Sequence, residues 1–371
     1  MTRAASLRKG AAERLVLHME IQFDKAASLK EKPQDESKLG FGQIFTDYMF
    51  EMRYTEGQGW HDPRICAFEE FEMSPASNVL HYSQEVFEGL KAYRTPDGGI
   101  SLFRAPDNFA RMNRSAHRMA MPPIDEEFVH EALRQLVRTE RDWVPHSDGT
   151  SLYIRPNYIG IGDYLGVSAA EEYIFYIICS PSGAYYAHGL APVRILIETD
   201  YARAAKGGTG FAKTGGNYAA SLIAGVEAHE KGCDQVLWLD AAERKYIQEV
   251  GSMNIMFVID GKVVTPPLDG TILAGITRDS VLQIARSKGI PVEERYITVD
   301  EVIDGARSGA LTEAFGTGTA AVVSPIGEFS YKDEIIPISS GDGLALDFYE
   351  TLTGIQYGRQ DDPFGWTEKI S

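Results

Sequence analysis

One lysine sits in unusual company. In GFAKTGGNYAAS, residues 210–221, Lys213 is surrounded by Gly210, Ala212, Thr214, Gly215 and Gly216. Small neighbours let a flat ring lie against the backbone, and a desolvated amine there suits Schiff-base chemistry. The stretch is not a phosphate loop, because no glycine immediately precedes the lysine. A solvated lysine in a glycine loop is the other reading, and this stretch alone leaves both open. A second site is QEVGSMN, residues 248–254. Glu249 there is either a loop glutamate or a carboxylate that keeps a pyridine nitrogen protonated. Ser252 places a hydroxyl beside it for a phosphate oxygen.

Three further stretches could seat an anion. In ILAGITRDS, residues 272–280, Gly275 precedes Ile276 and Thr277 where a helix is expected to start. Free backbone N–H groups at such a start attract anions, although a plain helix entry reads the same. LFRAPDNFARMNRSAHRM, residues 102–119, carries Arg104, Arg111, Arg114 and Arg118 on or beside a short helix. Most would be solvated, while one turned inward could grip a phosphate with its guanidinium fork. EAFGTGTAAVVSP, residues 313–325, has two Gly-Thr steps. They form either a glycine-rich turn or a cluster of N–H and hydroxyl donors for a carboxylate or phosphate. Tyr82, Phe87 and Tyr153, taken singly, read as core aromatics, and His81 as a structural histidine. No Ser-His-Asp, HExxH or Cys/His spacing occurs, so no metal site is expected.

These groups need a scaffold. Alternation predicts strands at 46–54, 64–71, 151–158 and 172–179, with a hairpin about the Pro-Asp-Gly-Gly turn of KAYRTPDGGISLFR. Helices are expected at 106–119 and 125–143, the second with Phe128, Ala132, Leu133 and Leu136 on one stripe. Residues 181–192, rich in Pro, Gly and small residues, mark a linker. Beyond it, strands are expected at 193–198, 234–239, 253–259, 262–265, 291–297 and 311–315, with a two-residue turn at Asp260-Gly261. Helices are expected at 217–231, 277–288, 299–308 and 342–353. The pattern is α+β, a mixed α/β fold rather than a clean doubly wound sheet.

A chain of 371 residues leads us to expect two domains. The net charge of −17 argues against nucleic acid and anionic membranes as partners. Cys66, Cys179 and Cys233 are odd in number and lie outside any paired motif, which fits a reducing cytoplasm rather than a disulfide framework. No apolar run approaches the ~20 residues of a membrane helix. The first 14 residues are basic, with Glu13 the only acid; they read as a frayed terminus or a targeting segment.

In order, the chain reads HYSQEVFEGLKAYR, LFRAPDNFARMNRSAHRM, GTSLYIRPNYIG, AKTGGNYAASL, GCDQVLWLD, EVGSMNIMFV, TPPLDGTILAGITRDS, FGTGTAAVVSP and GIQYGR. Over roughly 41–360 this resembles the branched-chain amino acid aminotransferases, fold-type IV enzymes dependent on pyridoxal 5′-phosphate (PLP). The resemblance implies two domains with the active site between them. We divide the chain into a leader 1–40, a small domain 41–187, a link 188–193 and a large domain 194–371. It implies that Lys213 joins the cofactor covalently, that Tyr218 bonds the ring's phenolic oxygen, and that Glu249 meets the pyridine nitrogen. Arg111, Ser252, Ile276, Thr277 and Thr317 would hold the phosphate. Tyr153, Thr319 and Ala320 would meet the substrate carboxylate. Arg155 would be an outer or 2-oxoglutarate-binding arginine, and Phe87 and Tyr82 would line the apolar pocket. Tyr82, Leu165 and Val167 would come from the neighbouring subunit of a homodimer. The implied reaction moves the amino group of L-leucine, L-isoleucine or L-valine to 2-oxoglutarate. A D-amino acid aminotransferase or aminodeoxychorismate lyase shares the lysine and glutamate and is the alternative. Two departures stand out. Ala321 and Ser324 occupy positions where mammalian members carry a CxxC pair, and Ser252 stands where threonine is common.

Overall fold

The computed structural model describes residues 19–183, 190–332, 334–339 and 343–370. The targeting reading of the first 14 residues, and residues 188 and 189 of the expected link, lie outside the described residues. The chain divides into two units, residues 1–184 with 362–371 and residues 185–361. In the first unit the strands are β1 (Gln22–Phe23), β2 (Tyr48–Thr55), β3 (Gly59–Ala67), β4 (Glu85–Phe87), β5 (Leu90–Arg94), β6 (Ile100–Phe103), β7 (Ser151–Ile161) and β8 (Glu172–Ser182). Its helices are α1 (Asn78–Tyr82), α2 (Ala105–Arg118) and α3 (Glu126–Thr139). The second unit holds β9 (Val193–Ile197), β10 (Gln235–Leu239), β11 (Ile247–Val250), β12 (Met253–Ile259), β13 (Lys262–Thr265), β14 (Val292–Glu294), β15 (Leu311–Gly318), β16 (Val322–Tyr331) and β17 (Glu334–Pro337). Its helices are α4 (Gly215–Ala219), α5 (Leu222–Glu230), α6 (Ile276–Ser287), α7 (Val299–Ser308) and α8 (Leu344–Gln356). A last strand, β18 (Thr367–Ile370), belongs to the first unit.

The first unit is one sheet in the order β1-β3-β2-β8-β7-β5-β6-β18, with β4 on β7. Phe109, Met112 and Ala116 of α2 and Val129, Ala132, Leu133 and Leu136 of α3 share one core with Phe50, Ile154, Phe175 and Ile177 of the sheet. Asp125 caps α3 by accepting from the Phe128 N–H at 2.9 Å. The expected helix 125–143 stops at Thr139 because Glu140 turns inward, where it accepts from the Tyr48 N–H. A short 3₁₀ turn, Arg141–Trp143, follows. It lets the Trp143 indole donate to Asp47 at 2.7 Å. The leader is tied to this sheet too. β1 pairs in parallel with β3, and Lys30 gives its N–H to Asp47 and its ammonium to the Thr46 carbonyl.

The expected large domain, 194–371, loses its last ten residues to the first unit. β18 pairs antiparallel with β6, Thr367 opposite Phe103 and Ile370 opposite Ile100. Glu368 on the same strand meets Arg134 and His130 of α3. The sequence signal was faint because TEKI, an edge strand, has a single apolar residue, Ile370.

In the second unit β11, β10, β9, β16, β15 and β12 follow one another, and β12 pairs back onto β11 to close a barrel. β13, β14 and β17 extend it. Ile195, Ile197, Leu237, Leu239, Ile255 and Phe257 pack together in one core, whereas the intervening Leu196, Val236 and Trp238 pack with Ala224 and Ala228 of α5. Burial on both faces explains the unbroken apolar runs ILI (195–197) and VLWL (236–239). The turn at Asp260-Gly261 forms as expected, with φ of 49° and 74°. The expected helix 217–231 is two, α4 and α5, because the Ser221 hydroxyl donates to the Tyr218 carbonyl at 2.7 Å and competes with the helix ladder. β16 is a strand that the sequence reading missed. Pro325 and Gly327 looked like breakers, but Gly327 sits at a register shift against β9, and Pro325, opposite Phe315 of β15, precedes the first residue paired with β9.

Glu140 gives this fold a pH dependence. It is 1% exposed, and burial pushes its carboxyl up to about 7, with Asp47 adding repulsion. A raised folded value means that the folded chain holds the proton more tightly, so the stabilisation is full near pH 4.5 and lost as pH rises through about 7. Glu140→Gln should therefore raise the thermal midpoint at about pH 8, by an amount worth about 3 kcal/mol at most, and match the parent at about pH 5. Thermal scans of both chains across this range provide the check.

Candidate active site

The loop before Lys213 is pinned from inside. Asn217, buried in α4, donates to the carbonyls of Thr209 (2.9 Å) and Ala212 (2.8 Å), and accepts from the Thr209 hydroxyl (2.7 Å). Gly210 packs on the Thr271 backbone so closely that a Cβ would collide with it. Lys213 is thereby presented at the entrance to α4. Its ammonium donates to the Tyr218 hydroxyl at 2.6 Å and lies 5.0 Å from the centre of that ring. The KTGGNY spacing thus joins an amine and a phenol through one helical turn.

Glu249 lies on β11 and is 4% exposed. Its Oε1 accepts from the Leu273 N–H (3.0 Å) and from Asn254 Nδ2 (3.2 Å), while Oε2 is 2.9 Å from Arg203 Nε. Asn254 also donates to the Leu273 carbonyl at 2.9 Å. Arg203 completes its fork on the carbonyls of Thr271 (2.6 Å) and Gly210 (3.2 Å). A buried carboxylate needs such partners, since a charge left unpaired in the interior costs several kcal/mol.

Cross-strand register extends this site into a row. Glu249 is opposite Asn254, and Asn254 is opposite Thr317, across β11, β12 and β15. Side chains at paired positions project to the same face. Thr317 is 2% exposed, and its hydroxyl has no partner. Helix α6 begins beside the row. Its cap is Gly275, no side chain caps it, and a Cβ on Gly275 would strike Asn254 Oδ1. Ile276 is half-buried and Thr277 buried in that first turn. Ser252 forms the β11–β12 turn with Gly251, whose carbonyl is fixed by the Trp238 indole at 3.0 Å. A cavity of about 380 Å³ is lined by Arg203, Tyr218, Ser252 and Trp238. Lys213, Tyr218, Glu249, Ser252, Ile276, Thr277 and Thr317 therefore all belong to the second unit.

The first unit holds the other candidates except Thr319 and Ala320, which lie in the second. Arg111 donates from Nε and Nη2 to the two carboxylate oxygens of Glu88, at 2.8 and 2.7 Å, and both residues are buried. Arg155 Nη2 donates to the Tyr153 hydroxyl at 2.9 Å, and its guanidinium lies 4.9 Å from the centre of the Phe87 ring. Arg155 Nε is buried without a partner. Gly89 leaves room for the Tyr153 hydroxyl, which a Cβ would displace. Lys91 is paired across the sheet with Tyr153, and burial pushes its amine down to about 8. Tyr82 donates to the Leu165 carbonyl. Leu165 and Val167 are 61% and 89% exposed. Thr319 and Ala320 form the β15–β16 turn.

Glu88, Lys91, Arg203, Asn217 and Asn254 were not singled out in the sequence. Asn217 lies inside and Asn254 ends the two most suggestive motifs, and that position was the available signal. Arg203 is seen only through its long-range partner Glu249. Among the described residues, no group of three or more His, Cys, Asp or Glu could hold a metal ion.

An amine beside a phenol, a buried acid, a helix start without a side-chain cap and an unsatisfied hydroxyl are groups of the kind that a phosphorylated nitrogen ring requires. Residues 85–329 match the family described as amino-transferase class IV, and the chain belongs to that family. It is 56% identical over 353 residues to branched-chain-amino-acid transaminase 1 of Bacillus subtilis (strain 168), covering 94% of this chain and 99% of that one. The branched-chain aminotransferase of Thermoproteus uzoniensis, solved with norvaline, superposes with a TM-score of 0.73 at 28% identity, covering 87% of this chain and all of that one. The T.th. branched-chain amino acid aminotransferase, solved with N-(5′-phosphopyridoxyl)-L-glutamate, has a TM-score of 0.69 at 30% identity over 86% and 98% of the two chains. The fold is that of class IV, and the cofactor of that class is PLP. The donors present fit PLP: Thr317 offers an unsatisfied buried hydroxyl, α6 an N-terminus with no side-chain cap, and Glu249 a carboxylate for the ring nitrogen.

The orphan hydroxyl supplies a test with two opposite signs. Replacing an unsatisfied buried hydroxyl by a methyl removes a desolvation penalty when no ligand is bound, and removes a hydrogen bond when one is. Thr317→Val should keep or raise the thermal midpoint of the cofactor-free protein while weakening PLP binding about tenfold. Calorimetric titration with PLP, beside a thermal scan without it, reads both effects.

Proposed function

We propose that this chain is a branched-chain amino acid transaminase, moving the amino group of L-leucine, L-isoleucine or L-valine to 2-oxoglutarate to give 2-oxo acids and L-glutamate. One observation carries this reading. The Lys213 amine, 2.6 Å from Tyr218, stands in the same unit as the buried Glu249–Asn254–Thr317 row, in a chain 56% identical to a branched-chain-amino-acid transaminase.

When bound, PLP supplies the electron sink that makes the substrate Cα–H acidic. Lys213 would be the residue to which PLP is joined and, as a free amine, would take the proton from the substrate Cα on Nζ. Tyr218 positions that amine through its hydroxyl. Glu249 is held toward the ring nitrogen by Arg203, Asn254 and the Leu273 N–H. Arg111, Ser252, Thr317 and the N–H groups of Ile276 and Thr277 hold the phosphate. Tyr153, Thr319 and Ala320 bind the substrate carboxylate. Phe87 and Tyr82 bound the apolar pocket, and Arg155 receives the second carboxylate of glutamate or 2-oxoglutarate. Its partnerless Nε beside Tyr153 and Phe87 supports that role. The protein is proposed to act as a homodimer, with Tyr82, Leu165 and Val167 reaching the neighbouring subunit's site. The 61% and 89% exposure of Leu165 and Val167 leaves both side chains open to a second subunit. We place it in the cytoplasm: its three cysteines are buried and unpaired, and no helix of the described residues is long and apolar enough to cross a membrane.

Lys213→Ala should abolish transfer from L-leucine and leave no PLP fixed to the chain after borohydride reduction, read by intact mass. A PLP adduct on the variant would show the lysine to be misassigned. Arg155→Ala should lower kcat/KM for L-glutamate about tenfold more than for L-leucine, one charge-assisted hydrogen bond being at stake. Equal losses would remove Arg155 from the carboxylate role.

A further inference from the structure

A second cavity, of about 360 Å³, lies in the same unit as Glu249 and is lined by other residues, Gln248 among them. That volume is in the range of small-molecule sites. Gln248 is 5% exposed, and its Oε1 has no hydrogen-bond partner. The orientation of this amide is fixed by its neighbours. Thr271 gives its hydroxyl proton to Asp269 at 2.6 Å, so its oxygen must accept, and the Gln248 Nε2 donates to it at 3.0 Å. Oε1 is therefore the end left over, a buried acceptor short of a donor.

The rest of the lining states what would fit. Tyr246 and Tyr296 lie with ring centres 5.5 Å apart, and Pro266, Pro267 and Ile272 add apolar surface. Asp240, Glu243 and Asp269 line the cavity together with Lys206, so acids outnumber bases there. Asp240 is engaged by four backbone N–H groups of its own turn. Lys206, 72% exposed, lies 3.9 Å from Asp269 and 5.7 Å from the centre of the Tyr296 ring, so it occupies the place a cation would take. Two of the lining residues connect the cavity to Glu249, which does not line it. Gln248 is the chain neighbour of Glu249, and the Thr271 carbonyl holds the Arg203 that pairs with Glu249.

We propose that this cavity is a regulatory site for a small organic cation, with a flat apolar body between the tyrosines and prolines and an N–H head on Gln248 Oε1. Occupancy is transmitted through Thr271 and Arg203 to the ring-nitrogen partner. The inference rests on the reading above only for that transmission.

Benzamidine is the probe, since it carries the required head and does not condense with an aldehyde as a primary amine does. It is titrated into the PLP-loaded protein by calorimetry, with benzoate as the anionic counterpart. We expect benzamidine to bind and to stay bound when L-leucine is added, and benzoate not to bind. Gln248→Leu, of similar shape, should weaken benzamidine about tenfold, the loss of one hydrogen bond to a charged donor. Lys206→Ala, at an exposed position, should tighten it about twofold by removing the competing charge. Failure to bind, equal binding of benzoate, or Gln248→Leu and Lys206→Ala both without effect would overturn the site. The visible absorbance of the bound cofactor should shift on adding benzamidine to the parent and not to Gln248→Leu. Binding without that shift would overturn the regulatory role. A chain that never takes up PLP would defeat the proposed function, while the calorimetric result would still report on the cavity.

Discussion

A carboxylate kept out of water is the constraint around which the second unit is organised. Glu249 cannot be buried alone, because desolvating a charge without partners costs several kcal/mol. Its partners come from three places in the chain: Arg203 before the lysine loop, Asn254 on the next strand and Leu273 before α6. Each partner brings its own segment with it. Arg203 draws the Gly210 and Thr271 backbones together, and Asn254 fixes the approach of Gly275. The lysine loop, the barrel edge and the helix start thus converge on one acid.

The barrel gives this convergence its precision. Paired positions on β11, β12 and β15 put an acid, an amide and a hydroxyl in line, at the spacing of neighbouring strands. Ile255 and Phe257, from the same strand as Asn254, pack in the barrel core. A rigid core behind and polar groups in front is the arrangement that holds a ligand without reorganisation.

Much of this was legible because the chemistry restricts the residue types. A lysine among glycines, an acid beside a Gly-Ser turn and a glycine at a helix start each admit a function in the local sequence, and it is their order along the chain that carries the resemblance. The residues that stayed hidden act through partners distant in the chain. Asn254 reaches Leu273 nineteen residues on, and Glu88 meets Arg111 across 23. No local pattern encodes such a pairing. The same limit applied to the fold. Turn chemistry located the Asp260-Gly261 hairpin, whereas β16, missed in the sequence, carries Pro325, which precedes its pairing with β9, and Gly327, which sits at a register shift against β9. The end of α3 was hidden by the inward turn of Glu140, a property of the core rather than of helix propensity.

The return of β18 to β6 has a consequence for biosynthesis. Residues 185–361 are an insertion within the first unit, whose remaining part is residues 362–371. On the ribosome the inserted barrel is fully emerged before the unit that began first can add its final edge. The nascent N-terminal sheet therefore waits with β6 uncovered until residues 367–370 are made, and a chain lacking them would leave that edge open to foreign strands.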